Sequence, residues 1–219
     1  MISEVNNIDC VEYMRSLPDK CFDLCIADPP YGIKPHGEAQ NCLLKYGQLE
    51  TANNMRPGPE FFEEIRRVSK HLIVWGYNHL SKELGPCKEF IVWYKHNPLH
   101  TFSDGELAYT DFDRVARVFD YPYYSTVNSD KQRIHPTQKP VALYAWLLNN
   151  YAKPGDTIFD PMMGGQSSRI AAYRMGMNYI GCELDSTYFR EGCERFDREC
   201  RGIEIINGTT IIQKELFSL

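Results

Sequence analysis

Hydrogen-bond acceptors are concentrated in a short turn near the amino end of the chain. Asp28-Pro29-Pro30-Tyr31 directly follows the apolar segment 22–27, which is predicted as a buried strand. The two prolines fix the backbone and remove two N–H donors, so carbonyl oxygens remain as acceptors beside the Asp28 carboxylate. Such acceptors next to the Tyr31 ring suit a planar base that carries an amino group. The alternative is a rigid turn in which Asp28 is only a cap.

The chemistry that this turn can support is activation of an aromatic amine. The amine nitrogen is a poor nucleophile because its lone pair is delocalised into the ring. If Asp28 and the Pro29 carbonyl each accept one amine hydrogen, a pyramidal nitrogen with a free lone pair is favoured. Stacking of the base on Tyr31 would contribute about 1–3 kcal/mol. We therefore interpret Asp28, Pro29, Pro30 and Tyr31 as candidate catalytic residues.

A glycine-rich turn forms the second group of candidate residues. A short strand at 157–159 is predicted to run into Asp160, and Gly164-Gly165 then precedes a helix. Glycines let a ligand approach the backbone closely. Glu183 ends the next predicted strand, where an acid can bind the two hydroxyls of a ribose. Asp160 can bind the ammonium of a methionyl group. The alternative is an α/β crossover that binds no nucleotide.

Alternating strands and helices position these turns and predict an α/β fold with a mainly parallel sheet. Strands are predicted at 22–27, 71–75, 89–94, 106–110, 114–119, 157–159, 178–182 and 203–206. Helices are predicted at 60–70, 78–84, 141–151, 167–174 and 186–201, the last with Ser186 as its N-cap. Asp28 then lies at the carboxyl edge of the sheet, where open α/β sheets bind ligands. Residues 32–59 have no clear period and are expected to form a loop.

The Asp-Pro-Pro-Tyr turn resembles the catalytic motif of the amino-methyltransferases that modify DNA at adenine N6 or cytosine N4. In that family Asp at the first position mostly accompanies adenine and Ser mostly accompanies cytosine N4, so Asp28 implies adenine. The turn after Asp160 resembles the family's S-adenosylmethionine-binding motif, usually Asp-Pro-Phe-x-Gly-Ser-Gly-Thr. Met162, Gly165 and Gln166 depart from that pattern. The bulk of Gln166 is expected near the cofactor, where it would weaken binding.

Two further segments resemble motifs of the same family. His135-Pro136-Thr137-Gln138-Lys139-Pro140 is similar to its His-Pro-Thr-x-Lys-Pro motif, which borders the methionine carboxylate of the cofactor. Asp9 resembles a family Asp that accepts from the cofactor's adenine amine, although a simple turn role is equally open. The resemblance implies a cofactor-binding set of Asp9, Cys10, Asp28, His135, Thr137, Lys139, Phe159, Asp160, Pro161, Met162, Gly164, Gln166, Ser167, Glu183 and Leu184.

The catalytic turn precedes the cofactor turn, an order that resembles the permuted beta group of the family. The resemblance covers nearly the whole chain, from Asp9 to Glu183. It implies a Rossmann-like methyltransferase fold, with a seven-stranded, mostly parallel sheet and helices on both faces, in one domain of residues 1–219. Members of this group are often dimers, so a homodimer is expected.

DNA contacts are expected from two segments of the chain. In the beta group a target-recognition region precedes the His-Pro-Thr motif, which here leaves residues 111–134, and the loop 32–59 can contribute as a mobile lid. The candidate DNA-binding residues are Lys34, His36, Arg114, Arg117, Lys131 and Arg133. The target adenine must be flipped out of the duplex, at a cost of a few kcal/mol. The methyl group then passes directly from sulfonium to nitrogen, with no metal implied.

Composition limits the class of protein. The net charge is −5, so phosphate contacts must come from local Lys and Arg rather than from a basic total. The apolar runs are far too short to span a bilayer, and the amino end has no signal-peptide pattern, so we expect a cytoplasmic protein. The eight cysteines include no C-x-x-C pair, which argues against a zinc ribbon and for reduced thiols.

The carboxyl end carries a separate signal. Gln213-Lys214-Glu215-Leu216-Phe217 resembles the short Gln-x-x-Leu-Phe peptide with which bacterial enzymes dock on the replication sliding clamp, using Gln213, Leu216 and Phe217. The alternative is a tail that packs Leu216 and Phe217 on its own core.

Four other functions remain open at this point. Cytosine N4 methylation would use the same residues. A protein-glutamine methyltransferase usually has Asn at the place of Asp28. Cytosine C5 methylation needs a Pro-Cys nucleophile, and Pro86-Cys87 lies in a loop without the expected surroundings. The departure at Gln166 and the short recognition region also allow a catalytically silent DNA-binding module.

Overall fold

The computed structural model describes residues 1–33, 55–97, 103–123, 133–206 and 209–212. Its strands are β1 (Ser3–Asn6), β2 (Phe22–Ala27), β3 (Ser69–Trp75), β4 (Phe90–Tyr94), β5 (Gly105–Thr110), β6 (Arg117–Asp120), β7 (Thr157–Asp160), β8 (Asn178–Cys182), β9 (Ile203–Ile206) and β10 (Thr209–Ile212). Its helices are α1 (Cys10–Arg15), α2 (Pro59–Val68), α3 (Tyr77–Leu84), α4 (Val141–Tyr151), α5 (Ser167–Arg174) and α6 (Ser186–Phe196), with a π-helical segment (Asp197–Arg201) after α6.

Eight strands form the main sheet, in the order β1-β8-β7-β2-β3-β5-β4-β6. Neighbouring strands run parallel except where β5 pairs with β3 and with β4. The mainly parallel α/β fold is therefore confirmed, but the described part of the sheet has eight strands instead of the expected seven. β9 was predicted as a final strand, and it pairs with β10 in a separate antiparallel hairpin.

Apolar side chains alternate between the two faces of the central strands. In β2, Leu24 and Ile26 belong to one core cluster, whereas Cys25 and Ala27 belong to another. Helices α4 and α5 pack on the first cluster, and α1, α2 and α3 pack on the second. Because β2 is buried on both faces, every residue in it except Asp23 is apolar, which explains why this strand is so readily recognised.

Several predicted boundaries were wrong for local reasons. Asp185, not Ser186, caps α6, because its carboxylate accepts from the backbone N–H groups of Thr187 and Tyr188. The helix predicted to reach residue 201 becomes π-helical after Phe196. β6 begins at Arg117 instead of 114, and β3 begins at Ser69 instead of 71.

Three elements were missed because they are short. β1 is an edge strand with a mostly polar sequence, so it carries no apolar period. α1 has six residues and β10 has four. The described helices include none that is long and apolar enough to cross a membrane.

Candidate active site

Three acidic side chains follow three neighbouring strands at one edge of the sheet. Asp28 comes directly after β2, Asp160 is the last residue of β7, and Glu183 comes directly after β8. These strands are adjacent and parallel, so their carboxyl ends meet. We call this the site edge. It is the place where open α/β sheets bind ligands.

Both carboxylate oxygens of Asp28 are engaged by other residues of the chain. The Tyr31 hydroxyl donates to Asp28 Oδ1 at 2.7 Å, and the Lys139 ammonium forms an ion pair with Asp28 Oδ2. Lys139 is 5% exposed, and its Nζ also lies 3.5 Å from the Tyr31 hydroxyl. The His-Pro-Thr motif and the Asp-Pro-Pro-Tyr turn are therefore in direct contact.

A second carboxylate contacts the same ammonium. Glu106, near the start of β5, places Oε2 3.2 Å from Lys139 Nζ, and its Oε1 accepts from Lys95 Nζ at 2.9 Å. Burial alone would raise the pKa of the Glu106 carboxyl, but Lys139 and Lys95 hold it at about 2. Burial also opposes the charge on Lys139, yet Asp28 and Glu106 raise the pKa of this ammonium above its usual value. The four groups form a chain of alternating charge in which Lys139 is buried and the other three side chains are partly buried.

The Tyr31 ring lies in a space that depends on a glycine. Gly76 separates β3 from α3 and has a φ of +79°, and a Cβ atom there would overlap the Tyr31 ring. His79, in α3, stacks on Tyr31 with ring centroids 5.5 Å apart. Burial, followed by the neighbouring Asp28 charge, raises the pKa of Tyr31 well above its usual value, so its hydroxyl remains a donor.

Asp160 is the most deeply buried of the three acids. Its carboxylate accepts from the Ser168 hydroxyl at 2.6 Å and from the Met162 backbone N–H at 3.1 Å. Burial, together with the nearby Asp28 and Glu183 charges, raises the pKa of Asp160 to about 7 against the effect of those hydrogen bonds. A cation next to this carboxylate would be stabilised.

Glu183 holds the glycine-rich turn. Its Oε2 accepts from the Gly164 N–H and its Oε1 from the Asp185 N–H, both at 2.9 Å. Burial raises the pKa of Glu183 above its usual value. Gly164 has a φ of +45°, and Gly165 leaves room for Gln138, whose Oε1 would lie 2.5 Å from a Cβ atom there. The glycines therefore let the turn approach the His-Pro-Thr motif closely.

The side chain of Gln166 does not enter the turn, contrary to the expectation from its bulk. Gln166 takes the left-handed conformation with φ of 59° and is fully buried. Its amide donates to the Phe189 carbonyl at 3.3 Å, and its Oε1 accepts from Arg169 at 2.9 Å. A Cβ atom added at Gly192, in α6, would lie 2.6 Å from the side-chain amide nitrogen of Gln166. A side chain at the position of the family's glycine is accommodated in a space between α5 and α6.

The other predicted cofactor residues lie in different surroundings. His135 packs edge-on against Tyr188 and contacts the Thr137 hydroxyl through Nδ1 at 3.2 Å. Burial, with the Lys139 and Arg133 charges, lowers the pKa of His135 to about 4, so this ring is neutral. Pro161, Met162 and Ser167 belong to the turn, where the Ser167 hydroxyl accepts from Arg195 at 2.9 Å.

Asp9, Phe159, Cys10 and Leu184 complete the predicted cofactor set. Asp9 caps α1 by accepting from Val11 N–H at 2.9 Å and Glu12 N–H at 3.0 Å. The Phe159 ring is buried and stacks on Phe22 at 4.3 Å between centroids. Cys10, which follows Asp9, is buried, and burial raises its pKa to about 12. Leu184 is exposed. Phe159 therefore supports the turn from inside the core.

A family model described as DNA methylase matches residues 60–194, which is more than half of the chain. The matched range contains the His-Pro-Thr motif, the glycine-rich turn and Glu183, and it begins after Asp28 and Tyr31. The chain belongs to this family of DNA methylases that act at N6 or N4 amines.

Two known proteins resemble this DNA methylase along most of its length. The type II methyltransferase M.HpaI of Haemophilus parainfluenzae is 25% identical over 245 residues, which cover 91% of this chain and 76% of that protein. The DNA adenine methyltransferase YhdJ of Escherichia coli K12 is 25% identical over 238 residues, which cover 86% of this chain and 81% of that protein.

Solved structures share the fold of the methylase. TTHA0409 of Thermus thermophilus, crystallised with S-adenosyl-L-methionine, matches with a TM-score of 0.63 at 18% identity, over 96% of this chain and 100% of that chain. PvuII DNA methyltransferase, described as cytosine-N4-specific, matches with a TM-score of 0.56 at 14% identity, over 94% of this chain and 95% of that chain. The predicted methyltransferase fold is confirmed.

The predicted DNA-binding arginines of the methylase do not lie on one surface. Arg114 and Arg117 donate to Asn150, near the end of α4, at 3.0 and 3.3 Å. Because α4 begins after Lys139 at the site edge, this end lies at the opposite edge of the sheet. Arg133 instead donates to the Gln138 carbonyl beside the glycine-rich turn. The basic patch inferred from sequence is therefore divided between two edges. Lys34, His36 and Lys131 lie outside the described residues.

Lys95, Glu106 and Arg195 were not predicted as site residues. Arg195 is 1% exposed and donates to the Gly165 carbonyl at 2.6 Å, so it supports the cofactor turn of the methylase. A usable signal existed for Glu106, because a carboxylate at the start of an apolar strand must find a cation when it is buried. For Arg195 the helical pattern of α6 carried no such signal.

Proposed function

We propose that this DNA methyltransferase transfers a methyl group to the N6 amine of adenine in a site-specific manner. Asp28 carries the proposal, because it lies at the site edge next to Asp160 and Glu183, where an amine and a methyl donor can meet. In the family that the turn resembles, Asp at this position mostly accompanies adenine. The name of the relative YhdJ, a DNA adenine methyltransferase, supports the same specificity.

The methyl donor is S-adenosylmethionine, which supplies an electrophilic methyl group on a sulfonium centre when it is bound. The residues present fit it. Asp160 is a buried carboxylate that can bind an ammonium, and Glu183 is placed at the next strand end for the ribose hydroxyls. Because the Gln166 side chain is turned towards α6, it leaves the turn accessible to a ligand.

The chain's own residues orient the amine. Asp28 and the carbonyl of Pro29 accept its two hydrogens, and this favours a nitrogen with its lone pair directed at the donor. Tyr31 holds Asp28 in place through its hydroxyl and presents an aromatic ring to the base. Thr137 offers a hydroxyl to the carboxylate of the donor, whereas the Lys139 ammonium, which the sequence assigned to the same carboxylate, is paired with Asp28 and Glu106. Arg133 is available for DNA phosphates at the same edge.

Product analysis of methylated DNA tests the specificity. Purified protein is incubated with DNA and radiolabelled donor, and the nucleosides are separated after digestion. N6-methyladenine is the expected product. N4-methylcytosine would replace the adenine assignment with the cytosine reaction, which the fold shared with PvuII methyltransferase also accommodates.

Substitution of Asp28 tests the mechanism. Asp28→Ala should lower the transfer rate by at least about 100-fold, the order expected when one oriented hydrogen-bonding group is lost from an active site. Binding of S-adenosylmethionine, measured by calorimetry, should be largely retained. A variant that methylates at close to the normal rate would remove Asp28 from the mechanism. If the unaltered protein binds no donor, the silent DNA-binding module becomes the better interpretation.

Three further expectations stay predictions. The loop 32–59 as a lid falls largely outside the described residues, the recognition region 111–134 falls partly outside them, at 124–132, and the clamp-docking peptide with Gln213, Leu216 and Phe217 lies wholly outside them. A homodimer and a single domain over residues 1–219 are likewise proposals.

A further inference from the structure

Lys139 is enclosed between two carboxylates and two aromatic rings. Its ammonium contacts Asp28 Oδ2 on one side and lies 3.2 Å from Glu106 Oε2 on the other. The Trp75 and Tyr31 rings lie 5.5 and 5.9 Å from Nζ, so the side chain has little room to move away from this position. Lys139 can therefore shift its charge between two neighbouring anions.

The proposed reaction requires Asp28 to release one of its present partners. Its Oδ1 accepts from Tyr31 and its Oδ2 is paired with Lys139, whereas the amine of a flipped base must bond to the same carboxylate. If Lys139 had no second anion, that exchange would leave a buried ammonium without a counter-charge, which is strongly unfavourable. A second carboxylate removes this obstacle.

We propose that Glu106 is a positioning residue that takes over the Lys139 ammonium when Asp28 turns to the amine of the target base. Lys95 holds Glu106 in place for this exchange through its 2.9 Å bond to Oε1. Glu106 acts through Lys139 and does not touch the reacting atoms. The inference rests on the proposed function in one respect, that Asp28 accepts from the target amine, and it applies to adenine and to cytosine alike.

The arrangement of strands explains why this carboxylate is available at the site edge. β5 runs antiparallel to β3 and β4, so its first residues, not its last, lie beside the carboxyl end of β4. Glu106 pairs with Trp93, and Lys95 follows β4 directly. The antiparallel hairpin thus brings an acid and a base from outside the recognised motifs to Lys139.

Glu106→Gln tests the proposal, since it keeps the size and hydrogen bonding of the side chain and removes its charge. Lys139 then pairs more tightly with Asp28, so we expect the single-turnover methylation rate to fall by about 10–100-fold, the usual effect of losing a supporting partner. The dissociation constant of S-adenosylmethionine, measured by calorimetry, should change by less than about 3-fold, well under the rate effect.

Glu89→Gln is a matched control. Glu89 is fully buried at the opposite edge of the sheet, where it accepts from Tyr151 at 2.7 Å and lies beside Thr110. Its neutralisation should lower the melting temperature without changing the methylation rate of the folded protein. If Glu106→Gln behaves in the same way, Glu106 is a structural residue and the proposal is overturned.

A double substitution separates action through Lys139 from a direct effect. Glu106→Gln should lower the methylation rate by about 10–100-fold in the unaltered protein. In a Lys139→Met background the same substitution should lower the rate by less than about 3-fold, because the effects of coupled residues are non-additive. Equal losses in both backgrounds would contradict the proposal. If Glu106→Gln does not fold, Lys95→Met is compared in the same two backgrounds, with the same expectation.

These measurements distinguish the two proposals. The type of methylated base is read from the unaltered protein, and the rate ratio is read from the variants. Methylcytosine with a large, Lys139-dependent loss would refute the adenine assignment and support the role of Glu106. Methyladenine as the product, with no loss of rate in Glu106→Gln, would support the adenine assignment and refute the role of Glu106.

Discussion

Gly76 shows how a single backbone position controls the candidate base site. Its φ of +79° is unfavourable for residues with a side chain, and a Cβ atom there would overlap the Tyr31 ring. Tyr31 in turn donates to Asp28. The glycine therefore determines where the aromatic ring and the proposed catalytic carboxylate lie relative to each other.

Gly76→Ala is expected to lower both stability and activity, and Gly85 provides the control. Gly85 ends the same helix, has a φ of +77°, and has no atom within 4 Å of an added Cβ. Each alanine should cost about 1–3 kcal/mol of stability from the backbone conformation, because Gly76 is left-handed and Gly85, with a ψ of −173°, lies in a region essentially confined to glycine. Both variants should therefore be destabilised in urea unfolding, but only Gly76→Ala should lower the methylation rate by at least about 10-fold, since a small misplacement in an active site is costly. Equal rates in the two variants would argue against this role of Gly76.

The charged chain from Asp28 to Lys95 illustrates a second property of individual side chains. Each member is stabilised by a neighbour of opposite sign, and removal of an inner member, Lys139 or Glu106, takes the ion pair away from Asp28 or Lys95. For that reason a buried ion pair is weak evidence for stability but good evidence for a specific arrangement. Substitutions that remove charge without changing shape are the informative ones here.

The junction of α5 and α6 decides how the cofactor turn is built. Gln166 stands before α5 and fits its side chain against Gly192 of α6, while Arg195 of α6 donates to the Gly165 carbonyl. Two contacts therefore tie the turn to the helix that follows β8. These contacts hold residue 166 in its left-handed conformation, which a glycine would adopt without such support.

Gly192→Ala should weaken the cofactor turn even though alanine is normally favoured over glycine in a helix by about 1 kcal/mol. The added methyl group meets Gln166 at 2.6 Å, so the amide must move towards the turn. We expect a dissociation constant for S-adenosylmethionine that is raised by about 5–30-fold, corresponding to the 1–2 kcal/mol typical of overpacking.

Rescue provides the control for this prediction. Removing the displaced side chain in the double variant Gly192→Ala/Gln166→Gly should restore most of the cofactor affinity, because glycine also tolerates the positive φ at position 166. Calorimetric titration of the single and double variants measures the effect. An unchanged affinity in the single variant, or no recovery in the double variant, would show that Gln166 does not transmit the change.

The distribution of charge over the two edges of the sheet determines where DNA can approach. Asp28, Asp160 and Glu183 lie at the site edge together with Arg133, whereas Arg114 and Arg117 lie at the opposite edge. A duplex held at the opposite edge would not reach Asp28. We therefore expect the cations that hold DNA for the reaction to include residues other than Arg114 and Arg117.

The stability of the fold should depend on pH through Asp160. Its pKa is about 7 in the folded chain against 3.8 ordinarily, so the folded chain keeps a proton that the unfolded chain has lost between these values. Stability contributed by this group therefore falls as pH rises from about 4 to about 7. Asp160→Asn has no such proton, so its melting temperature relative to the unaltered protein should rise across this window and level off above it. The comparison is made without S-adenosylmethionine.

The pH dependence of stability that is expected from His135 has the opposite sign. Its pKa is about 4 in the folded chain against 6.5 ordinarily, so between these values the unfolded chain binds the extra proton and stability rises with pH. The melting temperature of His135→Gln, relative to the unaltered protein, should therefore fall as pH rises from about 4 to 6.5. Two variants with the same slope would contradict the assignment of these pKa shifts.

Local sequence was sufficient to predict the strands and turns that carry the main motifs. β2, α4, α5 and β8 were predicted with the bounds that the structure has, because each is apolar or amphipathic over its whole length and is closed by Pro, Gly or a cap. Asp28, Asp160 and Glu183 follow such elements, so their common edge could be inferred from chain order and the geometry of parallel strands.

The contacts between distant segments required the tertiary structure. The pairing of Lys139 with Glu106 depends on the strand order β3-β5-β4, which places an antiparallel strand next to the motifs. The direction of the Gln166 side chain depends on Gly192 in another helix, and the separation of Arg117 from Arg133 depends on the direction of β6. A hydrophobic period reports which face of an element is buried, but it contains no information about which element lies opposite. For that reason the identities of the candidate catalytic residues were readable in the chain, whereas their partners were set by packing.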